Sequence, residues 1–276
     1  MLLAQISDLH IGAVGSSMDV HAHTAEHLVR AVEHLNRLDP SPDAVLCTGD
    51  LVDAGSAEEY ARLAELLAPL KAPYYLVAGN HDHRDNLRAA FAHHGYFPAE
   101  GYLQYVVDLG PVRVVALDTN VPGAPGGLLC EERLAWLDAR LAEEPSRPTL
   151  VMQHHPPFLT GMQQMDTMIL DGMEAMANVV RKHPQVERIV CGHLHRPITR
   201  RVGGTLAMTC PSTAHQVELD LRERGRLAVI TEPPACLLHA WSEGLGLVSH
   251  TSYIGDFGTP YVIIAEESAP GQAVQM

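Results

Sequence analysis

The chain has 276 residues, 46% of them hydrophobic, 19% charged and 5% aromatic, with a formal net charge of −14. That is enough apolar surface for a compact core, so a disordered chain is excluded, and one large α/β domain with an appendage explains the length as well as two equal domains. The negative balance repels a phosphate polymer, no apolar run approaches the ~18 residues that span a bilayer, and no basic stretch precedes a hydrophobic one at the N-terminus, so nucleic acid, membrane and export are set aside.

Along the first 200 or so residues, short apolar or β-branched runs alternate with helical patterns, the rhythm of βαβ units. Strands are predicted at Leu2 to Ile6, Ala44 to Cys47, Tyr74 to Ala78, Val112 to Leu117, Thr149 to Gln153 and Arg188 to Cys191. Several of these runs are continuously apolar, which suits strands covered on both faces. Helices are predicted at Thr24 to Leu38, Ala57 to Leu70, Glu131 to Leu141 and Gly172 to Lys182, with Ser56 and Glu59 placed for a capping box. From Gly203 the pattern becomes short strand-like runs, Thr205 to Cys210, Leu227 to Thr231, Cys236 to Trp241 and Leu245 to Thr251, which favour antiparallel strands in a second sheet or a cap. The expected organisation is a main unit over 1–202, remaining sheet strands with a cap over 203–265, and a loose tail over 266–276.

The five cysteines are odd in number and contain no C-x-x-C spacing, so neither a disulfide framework nor a zinc ribbon is suggested and a reducing cytoplasm fits. The 17 histidines nearly match the 19 Lys and Arg residues, and imidazole is the commonest metal ligand and acid–base group near neutral pH. Their positions select the ones that matter. Ser7-Asp8-Leu9-His10, Gly49-Asp50, Gly79-Asn80-His81-Asp82, His154-His155-Pro156-Pro157 and Gly192-His193-Leu194-His195 each follow a predicted strand, where open α/β sheets place their ligand crevice.

Carboxylate, imidazole and amide oxygen without thiolate suit Zn, Mn, Fe or Co rather than an all-oxygen Mg or Ca cage. Seven such side chains exceed what one catalytic ion takes, about three protein ligands plus water. Two transition-metal ions are the natural count, and Asp50, alone in its cluster, is the candidate bridge.

These five blocks in this order resemble the calcineurin-like metallophosphoesterases, over roughly Met1 to Arg200. Gly49-Asp50-Leu51-Val52-Asp53, Met152-Gln153-His154-His155-Pro156-Pro157 and Ser212-Thr213-Ala214-His215-Gln216 extend the likeness to the branch of bacterial cyclic-nucleotide phosphodiesterases and glycerophosphodiesterases, the latter above all. The resemblance implies a four-layer α/β/β/α sandwich with a small C-terminal β-rich cap, and a homo-oligomer built partly through that cap. It also implies two divalent or trivalent ions with a bridging hydroxide, one ion on Asp8, His10, Asp50 and His195 and the other on Asp50, Asn80, His154 and His193. His81 would stand beside the phosphate, His215 on the substrate side, and His155 outside the metal shell. The protein-phosphatase pattern continues Gly-Asp with Arg-Gly, whereas this chain has Leu51-Val52, which argues against a Ser/Thr phosphatase.

The function expected is hydrolysis of small-molecule phosphodiesters by metal-activated hydroxide, with a cyclic-AMP phosphodiesterase as the alternative. A monoesterase, a nuclease or a non-catalytic scaffold ranks lower, because every ligand position is filled and only Arg84 and Arg88 flank the motifs to balance a dianion. Asp19, His21 and His23 lie in the loop after the first cluster, where substrate contact is conceivable. Met162, Met165, Met168, Met173 and Met176 read as a core-facing helix after a loop, with an adaptable lid as the alternative. Cys47 and Cys191 read as buried small hydrophobes, and Glu58-Glu59 and Glu131-Glu132 as solvated helix faces.

Overall fold

A computed structural model of the chain describes residues 1–223 and 225–263; the expected tail over 266–276 lies outside them. One mixed sheet is formed by β1 (Leu2–Ile6), β2 (Ala44–Cys47), β3 (Tyr74–Leu76), β14 (Ala235–Ser242) and β15 (Gly246–Tyr253), in the order β15-β14-β1-β2-β3. The other contains β4 (Tyr105–Leu109), β5 (Val112–Ala116), β7 (Thr149–Met152), β9 (Val186–Cys191), β10 (Thr199–Val202) and β11 (Thr205–Thr209), in the order β10-β11-β9-β7-β5-β4. Two short ladders, β6 (Gly127–Leu128) with β8 (Leu170–Asp171) and β12 (Gln216–Val217) with β13 (Val229–Ile230), stand apart. The helices are α1 (Ser17–Val20), α2 (Thr24–Arg37), α3 (Ala57–Leu67), α4 (Arg84–Ala90), α5 (Glu131–Glu143), α6 (Gln163–Asp166) and α7 (Met173–Arg181).

The alternation of side chains along each strand builds the layers. In β1 and β2, Ala4, Ile6, Val45 and Cys47 face Leu28 and Leu35 of α2 and Tyr60 and Leu63 of α3. Leu3, Ala44 and Leu46, on the opposite face, meet Val112, Val114 and Leu150 of the other sheet. The far face of that sheet, with Val115, Val151 and Ile189, is closed by Leu137 of α5 and Met176 and Val180 of α7. Helix, sheet, sheet, helix is the four-layer sandwich, and each fully buried Leu or Val in it contributes ~1.5–3 kcal/mol.

The centre of each sheet is parallel: β1 pairs with β2, β2 with β3, β5 with β7, β7 with β9 and β9 with β11. The carboxyl ends of these strands therefore point the same way within each sheet. The register of β1 on β2 sets Ile6 opposite Cys47, and Asp8 N–H to Gly49 O (3.0 Å) and His10 N–H to Asp50 O (2.9 Å) carry the pairing into the loops beyond. A bridge between Ser7 and Ser212 joins the ends of β1 and β11 across the two sheets.

Past Gly203 the strands divide: β11 enters one sheet, β14 and β15 extend the other, and β12–β13 lies outside both. The run Leu227 to Thr231 yields only the two-residue β13, with Val229 and Ile230 exposed. Ser56 and Glu59 do form the capping box. Glu59 is consequently buried rather than on a solvated face, because its carboxylate turns back onto the Ser56 and Ala54 N–H groups.

Candidate active site

All nine residues singled out from the sequence, Asp8, His10, Asp50, Asn80, His81, His154, His193, His195 and His215, gather at these strand ends. Asp50 lies at the middle. Its Oδ2 is 3.3 Å from His154 Nε2 and 3.7 Å from His10 Nε2, while its Oδ1 accepts from the His81 N–H at 2.9 Å. On one side His10 Nε2 and His195 Nε2 face each other at 3.2 Å, with Asp8 Oδ1 3.6 Å from His195 Nε2. On the other side Asn80 Oδ1 is 3.1 Å from both His154 Nε2 and His193 Nδ1.

The outer nitrogen of each ring explains why the inner one points inward. His154 Nδ1 donates to Thr48 O (2.8 Å), His193 Nε2 to Met168 O (2.9 Å) and His195 Nδ1 to His215 O (2.9 Å). A carbonyl can only accept, so each ring is fixed in the tautomer whose bare nitrogen faces the cluster, the orientation a metal ligand needs. The second histidine of the pair differs: His155 holds Thr119 Oγ1 at 2.8 Å and Pro125 O at 3.2 Å, so both of its nitrogens are engaged by the protein.

Backbone strain marks the same place. Among the described residues, six non-glycine residues have positive φ, and five of them are Asp8 (53°), His10 (44°), Asp50 (46°), His193 (71°) and His195 (52°). Left-handed backbone costs an L-residue of order 1–3 kcal/mol and persists where the surroundings over-determine it, commonly at functional sites. Gly79 serves the same loop, since a Cβ there would collide with the Asp50 carboxylate.

The donor set fits cations. Asp8 Oδ2 is buried with no hydrogen-bond partner, an expensive state for a carboxylate unless a positive charge completes it. Burial pushes the Asp8 carboxyl up from its ordinary range. Burial acts the same way on Asp50, but His154, with help from His10 and His81, outweighs it and holds that carboxyl well below the usual range. His154 is desolvated too, yet the Asp50 charge lifts it to about 9. Burial, reinforced by neighbouring imidazoles, depresses His193 to about 4 and His195 and His215 to about 3. The protein alone thus offers neutral imidazoles at His193, His195 and His215, and a protonated His154 set against the ionised Asp50 carboxylate, a position where a cation would replace that proton.

These shifts predict how the metal-free protein responds to acid. An imidazole whose folded value lies below the unfolded one leaves the unfolded state holding more protons, so stability rises with pH between the two values and falls as pH drops below about 6.5. His193, His195, His215 and the inter-sheet His239 (about 3) all act in this direction. Asp82, raised to about 6 by burial and the Asp50 charge, acts oppositely, as do Asp8, raised by burial, and His10 and His154, raised against desolvation by the carboxylates around them. Between pH 7.5 and 5, however, Asp82 adds stability only from 6 to 5, and the gain from His154, at about 9, is complete by about 6.5. The four depressed imidazoles outweigh these. Urea unfolding of chelator-treated protein is expected to give a lower midpoint at pH 5 than at pH 7.5, and equal midpoints would contradict the burial-driven shifts.

His81 and His215 flank the cluster. The His81 ring is 4.7 Å from that of His10, edge-on, and its Nδ1 donates to Asp53 O at 2.7 Å, which leaves Nε2 free. The His215 ring lies 4.9 Å from His195 and 5.4 Å from His10, with its Nδ1 buried and unpartnered. Sequence reasoning missed Asp53 as a site residue, although it stands in the Gly49-Asp50-Leu51-Val52-Asp53 block. Its Oδ1 is 3.5 Å from His10 Nδ1 and 3.7 Å from His81 Nδ1, and the His10 contact holds its carboxyl below the ordinary range. Asp82 was also missed. It accepts from Gly79 N–H (2.8 Å), Leu51 N–H (3.1 Å) and the Tyr60 hydroxyl (2.8 Å), locking the loop that carries Asn80 and His81.

Arg84 and Arg88 are spent on the scaffold. Arg84 is bidentate on Asp118 (2.6 and 3.0 Å) and donates to Asn120 O, whose side chain in turn holds Gly79 O. Arg88 donates to Pro98 O (2.9 Å), Gly101 O (2.7 Å) and Asp85. Asp19 is tied to Arg62 (2.6 Å) and the Gly15 N–H (2.9 Å), and His21 and His23 are exposed. Met162 and Met165 are buried against Leu194 and Val217, and the Met168 carbonyl orients His193, so this segment backs the site.

The family model for calcineurin-like phosphoesterase matches residues 1–197. A protein of Arcobacter nitrofigilis named as a probable glycerophosphodiester phosphodiesterase is 38% identical, the match covering 97% of this chain and 98% of the relative. A 3',5'-cyclic adenosine monophosphate phosphodiesterase of Pseudomonas aeruginosa is 35% identical over 78% of this chain and 77% of its own. Among solved structures, a dimetal phosphatase from Danio rerio superposes with a TM-score of 0.63 at 16% identity, over 92% of this chain and 99% of that one, a likeness of fold.

Proposed function

The chain belongs to the calcineurin-like phosphoesterase family, and we propose that it is a two-metal phosphodiesterase acting on small open-chain diesters, glycerophosphodiesters in the first place. In this reading Asp8, His10, Asp50 and His195 hold one ion and Asp50, Asn80, His154 and His193 the other, Asp50 serving both. Transition-metal ions so held act as Lewis acids on phosphoryl oxygens and acidify water at neutral pH. Iron, manganese, zinc and cobalt all suit this mixture of imidazole, carboxylate and amide oxygen.

The protein's own side chains supply the rest. Thr48 O, Met168 O and His215 O fix the histidine tautomers, so the site is preorganised before substrate arrives. His81, anchored through Nδ1 to Asp53 O, turns Nε2 to the substrate side, where its protonated form donates to the departing alkoxide. His215 offers a second imidazole edge beside His10 and His195.

The observation that carries the choice of diester is the sign of the groups around the cluster. Among the described residues, none of the nine forms an ion pair with Arg or Lys, and the two arginines nearest in sequence, Arg84 and Arg88, are consumed by Asp118 and by loop carbonyls. A diester carries one negative charge and a monoester two, so a site without a free guanidinium favours the diester. The likeness to the Arcobacter protein over nearly the whole chain supports a glycerol-type alcohol.

The test is kcat/KM of metal-reconstituted protein on a glycerophosphodiester, a bis-aryl phosphate, cyclic AMP and an aryl monoester. The diesters are expected to exceed the monoester by at least tenfold, ~1.4 kcal/mol of transition-state binding, and the open diesters to exceed cyclic AMP. A tenfold lead for cyclic AMP would instead assign the chain to the cyclic-nucleotide group, to which the Pseudomonas relative belongs. We place the protein in the cytoplasm as a homo-oligomer; buried Cys47, Cys191, Cys210 and Cys236, with thiols pushed up by desolvation, suit a reducing compartment. No helix among the described residues is long and apolar enough to cross a membrane.

A further inference from the structure

We propose that Gln5 is a positioning residue of the active site, a single buried amide that sets the spacing between the strand end carrying Asp50 and the strand end carrying His193 and His195. The inference rests on the two-metal reading above. Gln5 lies on β1 with its side chain on the same face as Leu3, in the layer between the sheets where Leu3, Ala44 and Leu46 meet Val112, Val114 and Leu150. It is fully buried. An amide in that apolar layer is costly unless its donors and acceptor are all paired.

They are all paired. Gln5 Nε2 donates to Thr48 Oγ1 and to Cys191 O, both at 2.9 Å. Because a carbonyl accepts only, the amide orientation is fixed, and Gln5 Oε1 must accept from His239 Nε2–H at 3.1 Å. His239 Nδ1 then accepts from the Ser249 hydroxyl at 2.8 Å, an arrangement that requires the neutral ring, and burial keeps it neutral. The main-chain carbonyl of Gln5 also takes the Cys210 thiol, at 3.3 Å. One residue of β1 thus reaches β2, β9, β11 and β14.

Both groups that receive the Gln5 amide N–H bonds lie at the root of a candidate ligand. Thr48 is two residues before Asp50, and its carbonyl orients His154. Cys191 precedes Gly192, whose N–H donates to His154 O at 3.0 Å, and then His193 and His195. β1 and β2 share a sheet, but β1 and β9 belong to different sheets, and apolar packing between sheets is non-directional, whereas a pair of hydrogen bonds from one amide fixes a distance. His239 holds the side-chain amide and Cys210 the main chain of the same residue, so Gln5 cannot swing to follow either sheet.

The experiment replaces Gln5 by Met, which fills a similar volume without hydrogen bonds, and loads wild type and Gln5→Met with Mn(II). Calorimetric titration reads affinity at each position, and electron paramagnetic resonance reads the exchange coupling between two adjacent Mn(II) ions, which depends on their separation. The expected result is a weaker second ion, by tenfold or more, an altered coupling signal, and a kcat that falls while KM stays within about twofold. Wild-type affinities and coupling in Gln5→Met, with or without a lower melting temperature, would overturn the inference, since a merely structural amide changes stability alone. Thr48→Val removes a single acceptor of the same amide and keeps the test decisive if Gln5→Met does not fold: unchanged coupling there also overturns it. Fewer than two Mn(II) per wild-type chain would remove the two-metal reading itself, whereas two ions in wild type with no effect of either variant would remove only the role of Gln5.

Discussion

Asp50→Ala is expected to empty both metal positions together and to lower kcat/KM by about 10³-fold or more, a loss of ~4 kcal/mol at 1.4 kcal/mol per tenfold. The reason is geometric. Asp50 Oδ2 stands between His154 Nε2 (3.3 Å) and His10 Nε2 (3.7 Å), one from each donor group, so it is the single atom common to both. Its Oδ1 meanwhile holds the His81 N–H, so removal also frees the loop that presents the candidate proton donor. Asn80 touches only the His154 and His193 side. Asn80→Ala is therefore expected to lose one ion and keep the other, and this contrast separates a bridging ligand from an ordinary one. Metal per chain after gel filtration, read by atomic emission beside the kinetics, decides it. An Asp50→Ala protein that retains one ion at wild-type affinity would refute the bridging assignment.

The parts of this site that could be read from sequence are those in which residue type and chain position coincide. β1 and β2 span the residues predicted for them, because both are apolar runs ended by polar residues that open a loop. β3 stops at Leu76 rather than Ala78: the Val77 N–H makes a last bond to Cys47 O at 3.1 Å, and the chain beyond it delivers Gly79, Asn80 and His81 to the centre. β4 escaped notice because it is an edge strand, half-exposed and interrupted by Asp108, and α4 because its N-cap is His83, whose ring nitrogen takes the place of the usual hydroxyl or carboxylate.

The nine candidate residues were legible as donors directly after strands. Gln5, Thr48 and Asp53 were not legible as parts of the site. Gln5 and Thr48 act through strand ends and a backbone carbonyl, and Asp53 through two imidazoles drawn from different loops, relations that exist only once the two sheets face each other. Nor does composition announce left-handed backbone at Asp8, His10, Asp50, His193 and His195. Glycine would be the cheap residue at such a φ. Its absence from these five positions shows side-chain chemistry prevailing over backbone ease.

His81→Ala is expected to keep both ions and lose rate, and the loss should depend on what leaves. The His81 ring gives its Nδ1 proton to Asp53 O at 2.7 Å, so a neutral ring presents only a lone pair at Nε2. Donation to a departing alkoxide therefore requires the imidazolium, in which Nε2 also carries a proton. An alkoxide such as that of glycerol or ethanolamine is a strong base and needs the proton in the transition state. A nitrophenolate barely does. Loss of a general acid costs about 10²–10⁴-fold where the proton is needed, so His81→Ala should lower kcat on a glycerophosphodiester by at least about 10², and on bis(4-nitrophenyl) phosphate by less than about tenfold. Equal losses on both substrates would mean that His81 stabilises charge on the phosphoryl oxygens rather than protonating the alcohol, and loss of an ion in His81→Ala would mean that the ring holds the Asp50 loop instead of meeting substrate.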